Sequence, residues 1–184
     1  MKKVGFTLIE LIITVSIIAL ITGIFLANYY GGESQSQLLN ATSALMRDLR
    51  LAQTKGAANV SYGSDVPGSW GISLTTASSS YVLFADLNNN HIYNGATESI
   101  TLKGGKTISL PEGVVISSIK LEGASSSYNK VYITFYYDNG VLKTYLNNNN
   151  LQFMLPVEVT LEDANTGATK TVTINAVGLI SSNL

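Results

Sequence analysis

The chain has 184 residues, only 12% of them charged, and its 11 basic and 12 acidic side chains leave a formal net charge of −1. It has no cysteine, which excludes a disulfide framework and thiol chemistry, and its length suits one globular domain with an appendage. With a single histidine, no glycine-rich phosphate loop after a strand and no carboxylate pair that sequence alone places together, the chain does not read as an enzyme.

The first five residues carry Lys2 and Lys3, and a 22-residue run from Phe6 to Ala27 follows, with Glu10 as its one charge. About 20 apolar residues suffice to cross a bilayer as a helix, whereas a secretory h-region needs roughly 7 to 15, so the run reads as a membrane span. The two lysines ahead of it place the N-terminus on the cytoplasmic side and the rest of the chain outside. An ionised side chain in hydrocarbon is costly and usually has a partner and a task, so Glu10 asks for a cation. A cut between Gly5 and Phe6 would supply one: the new α-amino group of Phe6, four residues before Glu10. A cleaved signal peptide fits less well, because the apolar run is too long, contains Glu10 and is followed by no clear A-x-A site. A plain signal anchor leaves the Gly5-Phe6 junction unexplained.

The segment Lys2-Lys3-Val4-Gly5-Phe6-Thr7-Leu8-Ile9-Glu10-Leu11-Ile12 resembles the leader and helix start of type IV pilins and type II secretion pseudopilins. The resemblance implies a prepilin peptidase that cuts after Gly5 and methylates Phe6, and other pilin or pseudopilin subunits as partners. It also implies that Glu10 pairs with the N-terminal amine of a neighbouring subunit as a filament assembles. Gly5 suits the cut because a residue without a side chain fits a narrow subsite. Two opposite charges attract strongly in lipid, but each loses its hydration, so the pair sets register more than it adds net stability.

Residues 28–58 form a second unit. From Gln37 to Lys55, Leu38, Thr42, Leu45, Leu49 and Ala52 recur at three-to-four spacing, Leu39 and Met46 widen the stripe, and Asn40, Arg47, Asp48 and Arg50 fall largely off it. That pattern predicts an amphipathic helix with one face to bury. Gly31 and Gly32 weaken helical continuity by roughly 1 kcal/mol each relative to alanine, which predicts a break or flexible point between the two helices.

Beyond residue 58 the period changes. Eight short segments read as strands, at 69–75, 81–86, 99–103, 113–121, 130–138, 141–146, 156–161 and 170–175; they are β-branched or aromatic and bounded by Gly, Asn, Ser or Pro. In the fifth, Val131, Ile133 and Phe135 alternate with Tyr132, Thr134 and Tyr136, one face apolar and the other mixed. Asn139-Gly140 signals a tight hairpin to the next strand. The expected fold is therefore α+β: leader 1–5, membrane helix 6–27, amphipathic helix 28–58, and an external β-rich domain 59–184 whose antiparallel sheet is covered by the helix. The runs at 124–127 and 147–150 read as polar loops.

The stretch from Asp86 to Glu98 invites a metal. Oxygen-bearing side chains at Asp86, Asn88 and Asn90 follow the first half of a calcium loop, but His91 stands in place of the turn glycine and Glu98 comes one residue late for the bidentate position. The segment reads either as a calcium site formed by Asp86, Asn88, Asn90 and Glu98 or as an Asx-rich connection between strands. No other cofactor is suggested.

The segments from Tyr81 to Asn90, Glu98 to Ile100 and Thr171 to Ile180 resemble, more weakly, the sheet region and C-terminal strand of the GspH/FimT branch of minor pilins and pseudopilins. This likeness implies a scarce subunit that helps to initiate or cap a filament, and some FimT-like members bind DNA through a basic C-terminal segment. Here the tail after Gly178 has no Lys or Arg, and beyond residue 59 six lysines face nine acids, a balance of −3. Phosphate neutralisation needs a basic patch, so nucleic acid is disfavoured as a partner. A DNA-capturing minor pilin and a stand-alone, membrane-anchored adhesin-like domain remain the alternatives to a pilus or secretion-pseudopilus subunit.

Overall fold

A computed structural model describes residues 6–95, 97–98, 107–138, 141–147, 152–153, 156–175 and 177–183. One helix, α1 (Leu8–Ala57), runs without interruption through Gly31 and Gly32. The predicted break is thus corrected: membrane and amphipathic halves form one rod of 50 residues, about 75 Å at 1.5 Å per residue. The two glycines stand within a helix long enough, and packed firmly enough in its upper half, to carry their propensity cost.

The strands are β1 (Ser69–Thr75), β2 (Ser80–Asp86), β3 (Ile108–Ser109), β4 (Val114–Leu121), β5 (Lys130–Asp138), β6 (Val141–Asn147), β7 (Gln152–Phe153), β8 (Val157–Asp163), β9 (Thr169–Ile174) and β10 (Ile180–Ser182). They form two antiparallel sheets rather than one, with the orders β3-β2-β1-β5-β6-β7 and β10-β9-β8-β4. Seven of the eight expected strands coincide with these to within two residues at each end; the expected strand 99–103 and the Asn139-Gly140 turn lie outside the described residues. Strands β3, β7 and β10 carry no extended apolar run of their own and are fixed by pairing with longer neighbours.

The upper half of α1 packs on both sheets. Leu38, Ala41, Leu45, Leu49 and Ala52 are buried against Trp70, Ile72 and Leu74 of β1, Val131, Ile133 and Phe135 of β5, and the inward residues of β4, β8 and β9. Near its C-terminus the helix comes so close to β5 that a Cβ on Gly56 would collide with the Phe135 carbonyl. In β4 the register shifts between Ile116 and Ser118, a bulge that lets both Ile116 and Ile119 face inward from positions three apart.

Two readings of polarity are corrected by burial. Asp48, placed off the apolar stripe, is buried: one carboxylate oxygen accepts from the Tyr81 hydroxyl at 2.7 Å and the other from Arg47 Nε at 2.9 Å. Burial and the neighbouring Asp48 carboxylate push the Tyr81 phenol well above its ordinary pKa. The mixed face of β5 is also covered, since Tyr132 and Thr134 are buried, and His91 and Tyr93 of the connection after β2 lie over it, His91 Nδ1 3.2 Å from Thr134 Oγ1 and the Tyr93 ring against Phe84. A Cβ on Gly71 in the neighbouring strand would collide with the Ile133 carbonyl oxygen at 2.5 Å and with Thr134 Cγ2 at 2.6 Å, and would crowd the Phe84 ring at 3.1 Å, so the close approach of β5 requires glycine there; Tyr132 and Tyr93 pack on the Phe84 ring.

Candidate processing and assembly site

α1 begins with a capping box. Thr7 is the extended N-cap; its Oγ1 accepts from the Glu10 amide at 3.4 Å, and its own amide and hydroxyl donate to Glu10 Oε2 at 2.9 Å and 2.6 Å. The T-x-x-E spacing before an apolar run is the sequence signal for this motif. The carboxylate thereby satisfies the first orphan amide of the helix from within its own chain. Both bonds converge on Oε2; among the described residues nothing donates to Oε1.

Above the cap, the segment Leu8–Leu26 has a mean hydropathy of 2.5 and is long and apolar enough to cross a membrane. Every large apolar side chain from Phe6 to Leu26 is between 50% and 77% exposed, so the domain covers none of them. The hydroxyls of Thr14, Ser16 and Thr22 donate to the Leu11, Ile12 and Ile18 carbonyls at 2.8–2.9 Å, so they bring no unmet donor into an apolar surrounding. A cap carrying one carboxylate thus stands at the foot of a bare apolar rod.

Residues 2–26 match the family model of the prokaryotic N-terminal methylation motif. No curated protein and no solved structure matches the chain significantly. The motif spans Phe6 and Glu10, which the structure describes, and Gly5, which lies outside the described residues. The chain therefore carries a type IV pilin-like prepilin signal on an apolar N-terminal helix, as expected for a membrane-anchored, prepilin-peptidase-processed protein that assembles with pilin subunits.

The 86–98 segment lies apart from this site, on the outer face of the six-stranded sheet. Asp86 is fully buried and its carboxylate accepts from the Asn90 amide (3.1 Å), the His91 amide (2.8 Å) and Ser69 Oγ (2.9 Å). The Asn88 and Asn90 side chains both donate to Asn94 Oδ1, and their own oxygens accept from the Asn90 and Ile92 amides. Glu98 is buried and accepts from the Asn94 amide at 2.7 Å, while burial raises its pKa. The four expected calcium ligands thus share one loop, but their oxygens are turned to donors of the loop and sheet. Among the described residues no three His, Cys, Asp or Glu side chains stand together as a ligand group.

His91 pins this loop down. Its ring stacks on Tyr145 with centroids 4.2 Å apart, leans on Tyr136, and has Nδ1 3.2 Å from the Ser69 and Thr134 hydroxyls. Burial lowers its pKa, with the Asp86 carboxylate opposing. Asn89 and His91 both take left-handed backbone conformations, at φ 61° and 59°, which a tight loop anchored at Asp86 imposes.

Proposed function

We propose that the chain is a pilin or pseudopilin subunit, made as a precursor in the cytoplasmic membrane with its N-terminus inside, cut after Gly5, methylated on Phe6 and assembled into a type IV pilus or type II secretion pseudopilus. The observation that carries this reading is the capping box at the base of an uncovered apolar helix. Glu10 is held by Thr7 through one oxygen, and among the described residues the other has no donor, which leaves it to one from outside the subunit. Once Phe6 is the terminus, its amine is a cation at the same level as that carboxylate, and an adjacent copy can present it. Copies that surround the rod would cover the apolar side chains that the domain leaves bare, replacing lipid as their surroundings.

The weaker likeness to the GspH/FimT branch supports a minor subunit. The loop between Asp86 and Glu98 takes a mechanical role in this reading, as a buttress over the outer sheet face; the saturated hydrogen bonding of Asp86 supports it.

The test is the N-terminal mass of the protein purified from its own cells. A mature chain that starts at methylated Phe6 is expected, and replacing Gly5 with a bulky residue should leave the leader attached. Native material that begins at Met1, or beyond Ala27, would refute the proposal.

A further inference from the structure

Asparagine followed by glycine is the peptide step at which a chain most easily attacks itself. With no Cβ on the second residue, its amide nitrogen reaches the preceding side-chain carbonyl carbon unhindered. The chain has two such steps, Asn94-Gly95 and Asn139-Gly140, and the first lies among the described residues. It sits in the connection after β2, between the buried carboxylates of Asp86 and Glu98, and Asn94 itself is exposed.

The surroundings of Asn94 are more than a turn requires. Its Oδ1 accepts from Asn88 Nδ2 at 3.0 Å and from Asn90 Nδ2 at 2.9 Å. Two donors on one carbonyl oxygen draw electron density from Cγ and face the negative charge that the oxygen acquires when a nucleophile adds, as in an oxyanion hole. The donors are themselves held, since Asn88 Oδ1 accepts from the Asn90 amide at 3.2 Å and Asn90 Oδ1 from the Ile92 amide at 2.9 Å. Glu98 fixes the backbone around the step: its carboxylate accepts from the Asn94 amide at 2.7 Å, and its amide donates to the Gly95 carbonyl at 3.1 Å. Between those two bonds the Gly95 amide has no acceptor among the described residues, and Gly95 takes φ 106°, a conformation that a side chain would strain. The alternating oxygens that suggested a calcium loop thus belong to amides, two of which converge on a third.

We propose that Asn94 is a site of self-modification, in which Asn88 and Asn90 serve as the oxyanion donors. The Gly95 nitrogen bonds to Asn94 Cγ, the Cγ–Nδ2 bond breaks, and Nδ2 leaves as ammonia with the proton given up by Gly95, closing a cyclic imide. Water then opens the imide at either carbonyl, which leaves aspartate or isoaspartate at position 94. Exposure of Asn94 lets ammonia depart and water enter, so solvent is the sole co-reactant. A neutral amide becomes a carboxylate, and the formal charge of the chain moves one unit below −1. In the aspartate product the two donors face a full negative charge, to which an N–H bonds more strongly than to a neutral carbonyl. In the isoaspartate product the main chain is longer by one carbon. The chemistry does not depend on assembly and proceeds alike in precursor, mature chain and filament.

The test follows the full-length chain in detergent, kept for days in warm, mildly alkaline buffer and then digested for mass spectrometry, with an isoaspartyl methyltransferase marking isoaspartate. The peptide that holds Asn94 is expected to accumulate the acid form, part of it as isoaspartate. Asn88→Asp and Asn90→Asp each keep the oxygen that accepts from the loop and remove the Nδ2 donor, so each should slow the reaction at Asn94 several-fold, and the two together should slow it further. In chains denatured throughout the incubation, the same variants should react at the rate of the unaltered sequence, because the donors converge only in the fold. Gly95→Ala should nearly abolish the acid form. Absence of the acid form at Asn94 in the folded chain overturns the proposal, as does an unchanged rate in both Asp variants. A slowing that persists in the denatured variants refutes the donor role, and acid formation that survives Gly95→Ala refutes attack by the Gly95 nitrogen.

Discussion

Removing one hydroxyl should loosen the joint between the rod and the domain. Tyr81 is 2% exposed and its phenol donates at 2.7 Å to Asp48, a buried carboxylate on the helix, so Tyr81→Phe deletes a charge-assisted bond across the interface of α1 and β2. Hydrogen bonds to charged groups contribute about 1.5 to 3 kcal/mol, and more is lost when the acceptor stays buried. The remaining partner, Arg47, compensates little, because a side chain 72% exposed is screened by water. A loss of about 2 kcal/mol lowers the melting temperature of a chain of this size by roughly 4 to 8 °C. The assay is thermal unfolding of the full chain in detergent, followed by near-ultraviolet circular dichroism. Combining Tyr81→Phe with Asp48→Leu should cost less than Tyr81→Phe alone, since removing both polar partners leaves no orphaned charge. An unchanged melting temperature in Tyr81→Phe, or strictly additive losses in the pair, would refute the assignment of Asp48 as an anchored buried carboxylate.

Glu10→Val should leave cutting after Gly5 intact and sharply reduce incorporation into sheared filaments, and Thr7→Val should do the same more mildly; normal incorporation of both would exclude a register role for the capping box. The His91 pKa is lowered on folding, so the unfolded chain binds the extra proton first. Its contribution to stability is full above the ordinary imidazole value near 6.5 and is lost as pH falls through that value toward the lowered folded one. His91→Asn keeps a residue that tolerates the left-handed backbone but cannot titrate. Its melting temperature should therefore fall less between pH 7.5 and 5.5 than that of the unaltered chain, and an equal fall would count against the pin. A melt with and without a calcium chelator should coincide, because Asp86 is already saturated by protein donors; a downward shift on chelation would restore the metal reading.

Much of this protein could be read along the chain. An uninterrupted apolar run, one acid four residues after a Gly-Phe junction, a three-to-four stripe and a series of short β-branched segments each express local periodicity and local chemistry. Such signals survive without knowledge of what lies across the fold. The strand pattern yielded the class and most strand positions, and the Thr7-to-Glu10 spacing held the capping box in plain view.

What the tertiary structure alone decided depends on partners distant in sequence. Helical continuity through Gly31 and Gly32 overrides a local propensity, and β3, β7 and β10 exist because neighbours offer them hydrogen bonds. Asp48 looks like a solvent residue until Tyr81, 33 positions away, supplies its donor. The outer face of β5 looks half exposed until His91, from the connection after β2, stacks on Tyr145 and reaches Thr134. Periodicity reports which way a side chain points, and only the assembled fold determines what it meets there.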